Sequence, residues 1–227
     1  RYESSLQTHT MTPSPTQKQR RRVLLGITGS VAAVKGPELC LTLLAKDYEV
    51  KVLLTQGGAN FWNKAAEYDA HSWQALQLQQ VDVVIHSPDD EWKGWNRLGD
   101  SVLHIDLRDW ADIVVVAPLS AHSLSKVAHG LCDDTLSCVL RAWDLGWHEH
   151  RPAKPMVLAP AMNTAMWQHP LTQQQLTTIQ SFSAQTDTIH VVAPMVKTLA
   201  CGEVGQGALA SVDDIVRVVE GALHGKV

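Results

Sequence analysis

One feature constrains this chain's fold more than any other. Apolar runs of strand length alternate with glycine- or proline-marked turns and stretches of helical spacing. VLLGITGS (23–30) leads into VAAVKGPELCLTLLAK, and YEVKVLLT (48–55) into the turn and short helix QGGANFWNKAAEY. VDVVIH (81–86) is a further candidate strand. ADIVVVAP (111–118) precedes SAHSLSKVAHGLCDDTLSCVLRAW, read as two helices broken at Gly130. PMVLAP and IHVVAP are two more short strands flanking the helix-like LTQQQLTTIQSFSAQ, and SVDDIVRVVEGALHG closes the chain as an amphipathic helix capped by Ser211. Runs that are apolar throughout suit strands buried on both faces. Strand, crossover helix and strand repeated in this way predict an α/β fold, a three-layer Rossmann- or flavodoxin-like parallel sheet with helices on both faces, in a single domain over 21–227. Ligands of such sheets bind beyond the carboxyl ends of the strands, so the turns there are the places to look for chemistry.

Residues 1–20 are polar, carry two prolines and end at a basic run of three arginines (20–22). They read as a flexible N-terminal tail, with the arginines a solvated flank to the first strand in preference to a targeting or partner-docking segment. Nineteen Lys and Arg against 23 Asp and Glu give a net charge of −4, which argues against a broad basic nucleic-acid-binding face and favours a small molecule or a protein as partner. The four cysteines, Cys40, Cys132, Cys138 and Cys201, show neither a C-x-x-C pair nor zinc-ligand spacing. They read as reduced thiols, with a cytoplasmic setting as the expectation and no metal site. No apolar run approaches the roughly 20 residues needed to span a bilayer, so no membrane partner is expected.

Several turns carry suitable groups. Gly26-x-x-Gly29-Ser30 offers backbone N–H groups and a helix start for a phosphate, yet it is neither a dinucleotide fingerprint nor a Walker loop, and it serves equally as a structural turn. Thr55 ends the second strand at the same level, again as a turn hydroxyl or a ligand contact. Pro118-Leu-Ser-Ala-His-Ser123 adds hydroxyls and the His122 imidazole; a surface or capping role remains open for His122 and His129, and for His104 in SVLHIDLRDWAD. PAMNTAMW (160–167) sets an amide directly after a buried strand, and packing explains its methionines and Trp167 better than it explains Asn163. KTLACGEVGQG (197–207) has three glycines in its last six residues and a thiol at its centre, the composition of a mobile flap or of a surface loop holding a chance cysteine.

Taken together, GITGSVAAVK, HIDLRDWADIVVVAPLSAHSLSKVAHGLCDDTLSCVLRAWD, PAMNTAMW and KTLACGEVGQGALAS resemble, in this order and spacing, the flavin-containing cysteine decarboxylase family. The resemblance runs from about Val23 to Gly221. It implies FMN across the carboxyl edge of the sheet, lined by Gly29, Ser30 and Val31, by Thr55 and Gln56, by Ser120, Ala121, His122 and Ser123, and by Ala161 and Met162. It also implies FMN-dependent decarboxylation of 4'-phosphopantothenoylcysteine to 4'-phosphopantetheine in coenzyme A biosynthesis. There, oxidation of the thiol-bearing carbon gives a thioaldehyde whose loss of carbon dioxide leaves an enethiol. His104 is implied as base or orienter, Cys201 as proton donor and Asn163 as clamp on the substrate carboxylate, with Arg108, Lys197 and Ala200 as further substrate contacts. A homotrimer is implied, His104 coming from one subunit and Asn163 with Cys201 from its neighbour.

The chain departs from the family pattern at three places. His122 and Asp134 stand where Asn is usual, and Asp109 stands where a second basic residue usually follows Arg108. Relatives that act as regulatory subunits inhibiting a protein phosphatase, or that supply half of a shared hetero-oligomeric site, form the competing expectation. His104, Asn163 and Cys201 are all present and no acidic tail is seen, which favours the enzyme. A third expectation is a flavoprotein acting on a peptide's C-terminal cysteine.

Overall fold

A computed structural model describes residues 20–79, 83–147, 149–183, 185–198 and 204–225. The expected tail up to residue 19, with Ala200 and Cys201 of the flap, therefore lies outside the described residues. Arg22–Ile27 forms β1, a 3₁₀ turn follows at Val31–Lys35, and α1 runs over Gly36–Ala45. The single helix expected over 31–46 is thus two pieces, because Pro37 removes an N–H donor and fits only a helix's first turn. Next come β2 (Glu49–Leu54), α2 (Gln56–Trp62), α3 (Ala65–Tyr68), α4 (Ala70–Leu78), β3 (Val83–His86), a 3₁₀ turn at Pro88–Asp90 and α5 (Leu103–Trp110). β4 (Ile113–Leu119) leads into α6 (Ala121–His129) and α7 (Thr135–Arg141), and β5 (Met156–Pro160) into α8 (Thr164–Gln168) and α9 (Pro170–Ser181). β6 (Ile189–Val191), β7 (Met195–Thr198), β8 (Val204–Ala208) and α10 (Val212–His224) complete the chain.

Six strands form one parallel sheet in the order β3-β2-β1-β4-β5-β6, the doubly wound arrangement expected from the alternation. Every residue of β4 is buried, as its unbroken apolar run requires. Alternate side chains of the central strands feed two cores. Val23, Leu25, Ile27, Ile113 and Val115 meet α1, α4 and α10 on one face; Leu24, Val114 and Val116 meet α5, α6, α7 and α9 on the other. The two helices expected after β4 part at Gly130, a left-handed cap at φ 71°. Ser211 caps α10, its Oγ accepting from the Asp214 N–H at 3.1 Å.

Two expectations need correction. Of the strand expected over 189–194, Ile189–Val191 pairs with β5 and the Val192 N–H still donates to the Leu158 carbonyl at 2.8 Å, while 192–194 are not strand. The flap is not a simple loop: β7 and β8 form an antiparallel hairpin, pairing Lys197 with Gly205 and Thr198 with Val204. The arginine run flanks β1 with Arg20 and Arg21 exposed, as expected, and adds bonds from Arg20 Nε to Asp47 at 2.7 Å and from the Arg22 N–H to Asp112 at 2.8 Å. Among the described residues no helix is long and apolar enough to cross a membrane.

Candidate active site

The turns singled out above meet at the carboxyl edge of the sheet. Thr28 ties the first to the third: its Oγ1 donates to the Pro118 carbonyl at 2.7 Å and accepts from the Ser120 N–H at 2.8 Å. The Thr55 N–H donates to the Ile27 carbonyl at 3.1 Å, and the Ala161 N–H to the Leu119 carbonyl at 3.0 Å, so neighbouring turns are stitched in register. The first two turns also touch backbone to backbone. A Cβ added at Gly57 would lie 2.9 Å from the Gly29 Cα. Only two residues without side chains can approach this way.

Three hydroxyls at this edge serve as caps. Ser30 accepts from the Ala32 N–H at 3.4 Å, Thr55 from the Gly58 N–H at 3.1 Å and Ser120 from the Ser123 N–H at 3.3 Å. With these bonds made, the N–H groups of Val31, Gln56, Gly57, Ala121 and His122 have no acceptor among the described residues. First-turn N–H groups of this kind are ready donors to a phosphate. Around them, Thr55, Ser120, Ser123, Ala161 and Met162 are buried, Ser30 and Ala121 half-buried, and Gly29, Val31, Gln56 and His122 exposed. The exposed apolar Val31 beside donor N–H groups suits a ligand with both an aromatic and an anionic part, which is the chemistry of a flavin nucleotide.

Asn163 is exposed at the end of β5 and caps α8, its Oδ1 accepting from the Ala165 N–H at 2.8 Å. That bond fixes the amide orientation and leaves Nδ2 as the group on offer. The turn also anchors the hairpin, for the Met162 N–H donates to the Gly207 carbonyl at 2.9 Å. Added Cβ atoms at Gly205 and Gly207 would lie 2.1 Å from Thr164 Oγ1 and 2.3 Å from the Met162 carbonyl oxygen. Two of the flap's three glycines therefore serve close packing at its root, in place of the flexibility expected of them.

His104 lies in the first turn of α5. In a parallel sheet a crossover helix returns from the carboxyl edge, so this turn belongs to the same end of the sheet. Its Nδ1 is 2.5 Å from Glu91 Oε1, and the two side chains are 21% and 7% exposed. Sequence reasoning missed Glu91, because in the run DDEW it looks like one more solvated charge. No hydrogen bond or ion pair joins His104 to Asn163 among the described residues.

Arg108, one turn along α5 from His104, is committed to a neighbour: its Nε and Nη2 donate to Asp109 Oδ1 at 3.0 and 2.8 Å. Arg151 reaches the same oxygen at 3.0 Å. Burial pushes the Asp109 carboxyl up, but hydrogen bonds and charge from Arg108 and Arg151 outweigh it and hold the group below the usual range. Arg151, from the loop before β5, thus joins Arg108 at Asp109 and also lies 3.5 Å from Asp144. Asp134 caps α7 by accepting from the Ser137 N–H at 2.8 Å, and it pairs with Lys126 at 2.9 Å, a structural use for the second departure. Lys197 falls on β7 opposite Gly205.

The chain belongs to the Flavoprotein family, whose model matches residues 11–224. Within that class it is 44% identical over 217 residues to the phosphopantothenoylcysteine decarboxylase of Mus musculus, covering 94% of this chain and 93% of the relative. A cysteine-to-serine variant of PPC decarboxylase complexed with pantothenoylaminoethenethiol superposes with a TM-score of 0.74 at 39% identity, covering 89% of this chain and 97% of that one. The FMN binding protein AtHal3 gives a TM-score of 0.73 at 39% identity over 92% of this chain and 100% of its own. The family drawn from the sequence motifs, and the fold it implied, are the ones found.

Proposed function

We propose that this chain is an FMN-dependent phosphopantothenoylcysteine decarboxylase, acting in coenzyme A biosynthesis. The observation that carries the reading is the gathering of the four turns at one sheet edge, with open N–H donors in three of them and Asn163 beside the hairpin root in the fourth. Likeness over nearly the whole chain to a mouse enzyme of that name supports the substrate.

The donor set fits FMN. The N–H groups of Val31, Gln56, Gly57, Ala121 and His122 would hold its phosphate and polar ring edge, with Gly29, Ser30, Thr55, Ser120, Ser123, Ala161 and Met162 shaping the walls. When bound, FMN supplies a reversible hydride acceptor, the oxidant that makes a thiol-bearing carbon an electron sink for decarboxylation. The chain's own residues do the rest. Asn163 Nδ2 donates to the substrate carboxylate and fixes its orientation. His104 Nε2 takes up the substrate's thiol proton, and Cys201 Sγ–H returns a proton to the carbon that has lost carbon dioxide. From the family resemblance, the reading is of a homotrimer in the cytoplasm, with His104 from one subunit and Asn163 and Cys201 from its neighbour.

The deciding measurement is an absorbance spectrum of the purified protein, followed by incubation with 4'-phosphopantothenoylcysteine and mass analysis. A yellow protein that releases carbon dioxide and forms the saturated thiol is expected, with Cys201→Ser halting at the enethiol. The complex of a relative's cysteine-to-serine variant with an aminoethenethiol supports that stopping point. Yellow protein without turnover would overturn the catalytic reading and leave a regulatory or hetero-oligomeric role. A preference for peptides ending in cysteine would replace the substrate.

A further inference from the structure

Among the described residues, Glu91 is a buried acid with a single polar contact. It follows the 3₁₀ turn Pro88–Asp90 at the end of β3, is 7% exposed, and places Oε1 2.5 Å from His104 Nδ1. Its Oε2 is buried and has no partner among the described residues. Asp144, of similar burial, instead has Arg151 at 3.5 Å and Lys154 at 3.9 Å. An acid withdrawn from water with, among the described residues, one bond and no Lys or Arg partner is costly, and an imidazole beside it that can become a cation offsets that cost. His104 Nε2 has no hydrogen-bond partner among the described residues.

We propose that Glu91 is the positioning residue of this site: it accepts the Nδ1–H of His104, which fixes the ring's tautomer and orientation, and its charge holds the imidazolium formed when Nε2 receives a proton. A neutral imidazole has one N–H and one lone pair, so committing Nδ1 as donor leaves Nε2 as the basic nitrogen. The proton taken from the substrate thiol then rests on Nε2, its new positive charge facing an anion already in place. The other groups around the pair do not compete for this role. Cys138 on α7 feels the Glu91 charge, but burial first, then Cys132 and Glu91, push its thiol up to about 11, so it stays neutral. Asp106 and Arg108 share α5 with the histidine, and Arg108 is occupied by Asp109.

The inference rests on His104 being the proton acceptor, so the test includes that residue. ¹⁵N-histidine NMR of the flavin-loaded protein, with the His104 signal assigned by its loss in His104→Asn, should show the Nδ1–H form. Glu91→Gln retains an acceptor but no charge. It should keep that tautomer and bound flavin while lowering kcat about 100-fold at unchanged KM, the lower range of what a positioned proton acceptor contributes. Glu91→Leu should lose the tautomer as well. If His104→Asn turns over normally, the reading of His104 fails and this inference with it. If His104→Asn is inactive while Glu91→Gln matches wild type in kcat, the charge role alone is overturned, and an Nε2–H tautomer in the wild type would overturn the positioning role. Should Glu91→Leu fail to fold, Glu91→Gln and the wild-type spectrum still decide.

Discussion

Thr28 Oγ1 and the Ser120 N–H are joined at 2.8 Å across the carboxyl ends of β1 and β4, inside a fully buried contact that also engages the Pro118 carbonyl. One hydroxyl therefore fixes the spacing of two turns that flank the proposed flavin site. Thr28→Val has nearly the same shape but leaves the Ser120 N–H without its acceptor and the Pro118 carbonyl with only the Thr28 N–H, at 3.3 Å. We expect a loss of about 1–3 kcal/mol in unfolding free energy, together with weaker FMN retention on dilution. Unchanged urea midpoint and flavin retention would mean the two turns are held by other contacts.

Gly207 sits at φ 120°, and a Cβ there would lie 2.3 Å from the Met162 carbonyl oxygen. Gly207→Ala should displace the hairpin root while leaving the first three turns intact. The expected result is normal flavin content with KM raised about tenfold, equivalent to about 1.4 kcal/mol. Loss of flavin instead would mean the hairpin supports the cofactor turns.

Arg151 and Arg108 share Asp109, whose carboxyl is held below its ordinary range. A depressed acid contributes stability above its unfolded-state value and loses it as pH falls toward the depressed one. In Arg151→Ala the urea midpoint should therefore lie slightly below wild type at neutral pH, by about 0.5 kcal/mol or less because the pair is half exposed. The gap should close below about pH 4. A gap that persists at pH 2 would assign the effect to packing.

Cys40 is completely buried in the core, and burial pushes its thiol up to about 12, whereas Cys132 is exposed. A thiol reagent at neutral pH should label Cys132 in the native protein and spare Cys40 until denaturant is added, read by peptide mass mapping. Equal labelling of the two would show that α1 opens readily.

The parallel sheet was legible because its central strands are apolar throughout, and Asn163 stood out because packing explains an amide after a buried strand poorly. α4 was not read as a helix: in AHSWQALQL only Leu76 is buried, so little apolar period exists to detect. The hairpin escaped notice because VGQGA carries two glycines that weaken a strand signal, and their reason lies in contacts to Thr164 and Met162 from another part of the chain. Glu91 could not be found from sequence at all. Its pairing with His104, 13 residues on, depends on tertiary packing, and neither residue's local pattern records it. His104, singled out as a candidate, is half-buried rather than fully exposed, with its side chain 21% exposed.

The hydrogen bond from the Met162 N–H to the Gly207 carbonyl makes the turn carrying Asn163 and the root of the hairpin one mechanical part. A pull on the hairpin is a pull on that turn, and a ligand gripped at the turn stiffens the hairpin. Exchange of this one amide proton with solvent is thus a gauge of both parts at once, and it is expected to slow when the turn takes a ligand.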